Sequence, residues 1–111
     1  NLIATIDYNQ KQIDGSLDEV LPMGNLTAKL EAFDWLVLEE KEGNNLEAII
    51  KTLNKAKELS GKGKPVAIIL HTEMGNGVDY MMGTHKWHGS APNDEQLSKA
   101  LSQNTETLGD Y

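Results

Sequence analysis

Three short apolar runs alternate along the chain with two stripes of helical spacing. Leu2 to Tyr8 is a β-branched, apolar run that gives way to the polar, glycine-bearing stretch Asn9 to Ser16, which reads as a strand feeding a loop. Leu26, Leu30 and Phe33 recur at helical spacing, and Asn25 stands where a helix cap belongs. Trp35 to Leu38 is a second run of strand length. After a turn at Gly43 to Asn45, the residues Leu46, Ile49, Ile50, Leu53 and Ala56 form one stripe, the clearest helical signal in the sequence, capped by Asn45 and stopped by Ser60 to Lys64. Pro65 opens the third run, Val66 to Leu70, whose unbroken apolarity suits a strand buried on both faces. Strand, helix, strand, helix, strand in that order predicts right-handed crossovers and a parallel sheet, hence a three-layer α/β fold. The segment Thr72 to Pro92 has four glycines and no periodicity, and is too long for a mere connection. A last helix is expected from about Asn93 to Gln103, so that residues 1–103 form one unit and 104–111 a tail or linker.

Composition narrows the functions open to such a fold. The 111 residues are 39% hydrophobic and 24% charged, a globular balance rather than a disordered one. Seventeen acidic against ten basic residues give a net charge of -7, which repels a phosphate backbone, so nucleic acid is not an expected partner. The absence of cysteine removes disulfides, thiolate nucleophiles and zinc-thiolate sites and fits a cytoplasmic protein. The longest apolar run falls far short of the roughly 20 residues that cross a bilayer, so no membrane span is expected. The chain opens at Asn1 inside a strand signal with neither an initiator Met nor a leader pattern, which reads as a piece of something longer.

In an open parallel sheet, ligands bind where the strands end, because loops and helix amino termini gather there. The loop Asp7 to Gly15 and the long loop Thr72 to Pro92 leave the same edge and can face one pocket. Asn9 stands just past the first strand, where its amide oxygen suits a hard cation such as Mg²⁺, and the Lys11 main-chain carbonyl is a second oxygen of the right kind. Neutral oxygens alone hold Mg²⁺ weakly, so a carboxylate and ligand phosphates must join them. The same spacing also fits a simple side-chain turn at Asn9. Gly75, Asn76 and Gly77 offer main-chain N–H groups for close approach to a phosphate, or an ordinary turn. His85 and His88 flank Trp87, but glycines at 83 and 89 argue against the helix that would let both bind one metal. A single imidazole donating to a phosphate or polarising an oxygen suits this loop better. His71 reads as a strand-end packing residue, and Met74, Met81 and Met82 as apolar cover. No Ser/His/Asp arrangement is discernible. The residues by themselves reach an α/β domain with a polar ligand edge.

Two stretches carry more: LIATIDYNQKQIDG from Leu2 to Gly15, and KPVAIILHTEMGNGVDYMMGTHKWHGSAPNDEQLSKAL from Lys64 to Leu101. In order and spacing they resemble the thiamine-diphosphate-binding domain of transketolases, particularly the amino-terminal subunit of split forms. The resemblance runs through the intervening segment and covers nearly the whole chain; D-x-N-x-x-x-I-D-G and W-H-G-x-A-P-N-D are its most specific parts. It implies transfer of a two-carbon ketol unit between sugar phosphates, with thiamine diphosphate and Mg²⁺ (or Ca²⁺) as cofactors. It implies that Asn9 and the main-chain oxygen of Lys11 are metal ligands, that Ile13 packs on the cofactor, and that His88 is a catalytic and cofactor-binding histidine near the diphosphate and the sugar. Partners implied are sugar phosphates and a pyrimidine-binding domain or subunit, in a homo- or hetero-oligomer.

Departures from the family pattern matter as much. The G-D-G motif that supplies an aspartate ligand lies before Asn1 in the family order, as do histidines of the substrate channel. The pyrimidine-binding domain, whose glutamate activates the cofactor, is separate. In the T-x-K-G-x-G-V element, Met74 stands at the lysine and Asn76 supplies no charge. The chain alone is therefore expected to be inactive. Rival readings are another thiamine enzyme, such as deoxyxylulose-phosphate synthase or a pyruvate dehydrogenase subunit, and a noncatalytic assembly module with a degenerate site.

Overall fold

The computed structural model describes residues 1–104. Its elements are β1 (Ile3–Tyr8), β2 (Lys11–Gln12), β3 (Gly15–Ser16), α1 (Leu17–Val20), α2 (Leu26–Ala32), β4 (Leu36–Glu40), α3 (Leu46–Leu59), β5 (Val66–His71) and α4 (Asp94–Gln103). The expected tail lies outside the described residues, except for Asn104, which closes α4 through its N–H to the Ala100 carbonyl at 3.2 Å.

β1, β5 and β4 form one parallel sheet in that order, with β5 in the centre. This explains why Val66 to Ile69 are all apolar: each is at most 2% exposed, with a strand on either side and layers above and below. Ile3, Val66 and Leu36 lie abreast, as do Thr5, Ile68 and Leu38. Against that face α3 packs Leu53, Ala56 and Leu59. The alternate positions point to the other face, where the α2 residue Thr27 donates its hydroxyl to Glu39. The crossover β1-α2-β4 runs outward and β4-α3-β5 runs back, so crossovers of one hand put their helices on opposite faces. The result is the three-layer α/β arrangement expected.

Differences from the sequence reading are local. β4 extends through Glu39 and Glu40 instead of stopping at Leu38, because both carboxylates find partners at the strand edge: Glu40 accepts from the Glu42 N–H at 3.0 Å and the Thr52 hydroxyl at 2.8 Å. The stretch after β1 is a small hairpin, β2-β3, followed by the one-turn helix α1. Phe33, counted in the helical stripe with Leu26 and Leu30, falls just past α2 as its cap and is 80% exposed. The α3 stripe is broader than its contact: Leu46 and Ile50 are exposed, while Ile49 and Leu53 are half-buried.

Exposed area totals 7,865 Å², against ~6,000 Å² for a closed domain of this mass. The radius of gyration is 16.9 Å, against ~13 Å for a compact chain of this length. Leu2, Ile13, Leu21, Phe33, Leu46 and Leu101 are each more than half exposed. Residues 1–111 expressed alone are therefore expected to self-associate, with light scattering showing mass rising with concentration. A monomer at every concentration would contradict this.

Candidate functional site at the carboxyl edge of the sheet

All three parallel strands end at one edge, over a cleft of about 600 Å³ lined by Tyr8, Gln10, Lys41, Asn44, His71 and Thr72 among others. The first loop leaves this edge through Asn9 and Gln10. Gln10 adopts a left-handed backbone, φ 63°, unusual for a residue with a side chain. That bend brings the Lys11 N–H to the Asn9 Oδ1 at 2.9 Å. The side-chain turn anticipated at Asn9 is therefore present, and it engages one of the two lone pairs of the amide oxygen.

Ladder geometry decides what the Lys11 carbonyl does. In the β2-β3 hairpin Gln12 faces Gly15 and Lys11 faces Ser16, while the Gln10 carbonyl accepts from the Leu17 N–H at 3.0 Å. Antiparallel pairs alternate between hydrogen-bonded and non-hydrogen-bonded, so Lys11 occupies a non-hydrogen-bonded position. Its carbonyl is turned out of the ladder. Two hard oxygens, one on a side chain and one on the main chain two residues later, are thus left for a ligand. This donor set fits a Mg²⁺ ion that also holds phosphates and a carboxylate. Among the described residues no group of three or more His, Cys, Asp or Glu side chains could hold a metal without such help.

The hairpin is braced from behind. Ser16 caps α1 by accepting from the Glu19 N–H at 3.3 Å, and Glu19 Oε2 accepts from the Ser16 N–H at 3.0 Å and its hydroxyl at 2.7 Å. These bonds from Ser16, side chain first and backbone second, hold the Glu19 carboxyl below its ordinary range against the opposing effect of desolvation, with lesser help from the charges of His85 and Lys11. His85 and Lys11 therefore lie within electrostatic reach of the same carboxylate. Gln10 of the first loop and Thr72, Glu73 and Asn76 of the long loop line one cleft, as the shared edge implied.

The loop after β5 is ordered by packing that its polar composition conceals. Val78 is buried, the Trp87 Nε1–H donates to the Tyr80 carbonyl at 3.0 Å, and the two rings meet edge to face at 5.1 Å. The Tyr80 hydroxyl donates to the Gln96 carbonyl at 2.7 Å, and Lys99 of α4 pairs with Asp79 at 2.8 Å. Gly75, φ 73°, lies so close to Met81 that an added Cβ would fall 2.6 Å from the Met81 Cβ. The GNG element is thus a tight turn folded back on its own loop. His88 is exposed, with its N–H donating to the His85 carbonyl at 3.0 Å, and Ile13 is 66% exposed at the hairpin tip. None of Asn9, Lys11, Ile13 and His88 lines the cleft itself, although Tyr8 and Gln10, on either side of Asn9, do. The structure brings Asn9 and Lys11 together and leaves Ile13 and His88 presented outward.

One cluster escaped the sequence reading. Glu39 pairs with Lys41, accepts from Thr27, and lies 3.1 Å from His71 Nε2, which is also 2.9 Å from Lys41 Nζ. The bonds from Lys41, Thr27 and His71, in that order, hold the Glu39 carboxyl down to about 2 from 4.5. A depressed carboxylate stabilises the fold above its unfolded pKa and loses that contribution as pH falls through the folded one. Replacing Glu39 by Gln should therefore lower the melting temperature at pH 7, with the gap to wild type closing between pH 4.5 and 2. A gap that persists at pH 2 would contradict the ionic origin. The signal in the sequence was the E-x-K spacing at Glu39 and Lys41, astride a strand end.

The family model for the transketolase thiamine diphosphate binding domain matches residues 1–106. The chain belongs to this family. It is 39% identical over 108 residues to an apulose-4-phosphate transketolase subunit of Phocaeicola vulgatus, covering 97% of this chain and 37% of that protein. To the 6-deoxy-6-sulfo-D-fructose transketolase subunit SqwG of a Clostridium species it is 34% identical, covering 93% of this chain and 36% of that protein. The crystal structure of transketolase from Campylobacter jejuni superposes with a TM-score of 0.80 at 32% identity, covering 93% of this chain and 16% of that one. The chain thus spans little more than a third of the length of these two subunits. The transketolase fold expected from the two sequence stretches is the fold observed. No helix among the described residues is long and apolar enough to cross a membrane.

Proposed function

We propose that this transketolase-family chain forms the metal-binding edge of an enzyme that transfers a two-carbon ketol unit between sugar phosphates, using thiamine diphosphate and Mg²⁺. The observation that carries the reading is the pair of oxygens just after β1, Asn9 Oδ1, which keeps one lone pair beside its bond to the Lys11 N–H, and the Lys11 carbonyl, turned out of the hairpin ladder, in a chain of this family. When bound, the cofactor supplies the chemistry of carbon–carbon bond cleavage and formation. The chain's own residues position it. Asn9 and the Lys11 carbonyl donate to the metal. Ile13, exposed at the hairpin tip, offers an apolar surface to the cofactor, and His88 offers a hydrogen bond to a phosphate or substrate oxygen. The aspartate that completes the metal's protein ligands and the pyrimidine-binding domain or subunit come from outside residues 1–111, in a homo- or hetero-oligomer of the cytoplasm. Residues 1–111 alone are then inactive. The relatives named above are transketolase subunits, which favours this reading over the other thiamine enzymes and over a noncatalytic module.

The test is an assay of the whole natural protein with its partner subunit. Ketol transfer from a ketose phosphate to an aldose acceptor should require both thiamine diphosphate and Mg²⁺. Failure to transfer, with both cofactors bound, would overturn the substrate class.

A further inference from the structure

We infer that His71, outside the expected metal site, is a positioning residue for the Asn9 turn. Three links converge on the end of β1. Tyr8, the residue immediately before Asn9, pairs in register with His71, and their rings meet edge to face at 5.4 Å and 88°. Next to them, the Thr72 hydroxyl donates to Asp7 Oδ1. The His71 ring is in turn fixed on the same face from the other flank of β5, where Nε2 lies between Lys41 Nζ, just past β4, at 2.9 Å and Glu39 Oε2 at 3.1 Å. Its main-chain carbonyl accepts from the Gly43 N–H at 2.9 Å. The imidazole is therefore locked by β4 and presses on the aromatic ring that precedes the donor turn. A side chain that fixes the last strand residue before a ligand fixes the direction in which that ligand points, as outer-shell partners do in other metal sites.

The inference rests on the proposal that Asn9 binds Mg²⁺, and one set of variants separates the two. Mg²⁺ is titrated calorimetrically into the whole natural protein, in the presence of saturating thiamine diphosphate and the partner subunit. His71→Ala should weaken Mg²⁺ binding about tenfold. His71→Phe, which keeps a ring against Tyr8, should recover most of the affinity, and His71→Asn, polar but ringless, should not. The metal-free melting temperature is measured for each. If His71→Ala lowers that temperature and leaves Mg²⁺ affinity unchanged, the residue is merely structural and the inference fails. If Asn9→Ala also leaves affinity unchanged, the metal assignment itself fails. Loss with Asn9→Ala but none with His71→Ala overturns the positioning role alone.

Discussion

Gly43→Ala is expected to destabilise the whole protein by about 3 kcal/mol, among the largest effects of any small substitution in the chain. A Cβ at Gly43 would fall 2.5 Å from the His71 carbonyl oxygen, 2.7 Å from its carbon and 2.9 Å from its nitrogen. All three atoms belong to the backbone of His71, the last residue of the central strand, held in register against Tyr8 of β1. The Gly43 N–H also donates to that same carbonyl, so any shift breaks a hydrogen bond that closes the β4-α3 turn on the sheet. Gly61→Ala is the comparison. Gly61 has φ 79° but open space around it, so only backbone strain of about 1 kcal/mol should appear. Urea denaturation of both variants measures the difference. Equal, small effects would mean that the turn can move away from β5.

Asn9→Ala should weaken Mg²⁺ binding in the presence of thiamine diphosphate by about a hundredfold, the upper end of what even outer-shell substitutions cause. Asn9→Asp keeps an oxygen and adds charge, so it should bind Mg²⁺ at least as well as wild type. Lys11→Ala should change little, since only the main-chain carbonyl of that residue is offered to the metal. This pattern distinguishes a ligand role from the side-chain turn alone. Loss of the bond from the Lys11 N–H costs about 1 kcal/mol of stability, too little to account for a hundredfold loss of metal affinity. Calorimetric titration gives both affinities, and a sensitivity of Lys11→Ala equal to that of Asn9→Ala would contradict the assignment.

Layer order and central strand were legible because they follow from strong patterns. The uninterrupted run Val66 to Ile69 required cover on both faces, and β5 is the central strand. The caps at Asn25 and Asn45 were legible for a similar reason: an Asn before a helical stripe has a helix N–H to accept from, and each does so. The ends of elements were less legible. Glu39 and Glu40 read as the end of a strand until Lys41, Thr27, His71 and Thr52 are seen to satisfy them, and three of those partners lie on other elements. The signal for α1 was present in S-x-x-E at Ser16 to Glu19 but spans a single turn. Phe33 misled because helical spacing cannot say where a helix stops. At the site, the side-chain turn at Asn9 was legible, but the direction of the Lys11 carbonyl depends on hairpin register, which only the pairing partners set. The order within Thr72 to Pro92 was hidden because it comes from contacts between Tyr80, Trp87 and α4 rather than from periodicity.

The most direct measurement is a crystal structure of the whole natural protein with thiamine diphosphate and Mn²⁺ in place of Mg²⁺, with the metal located by its anomalous scattering. The account predicts a single peak at the end of β1, about 2.1 Å from both Asn9 Oδ1 and the Lys11 carbonyl oxygen. A peak elsewhere, or an Asn9 amide directed away from the ion, would contradict it.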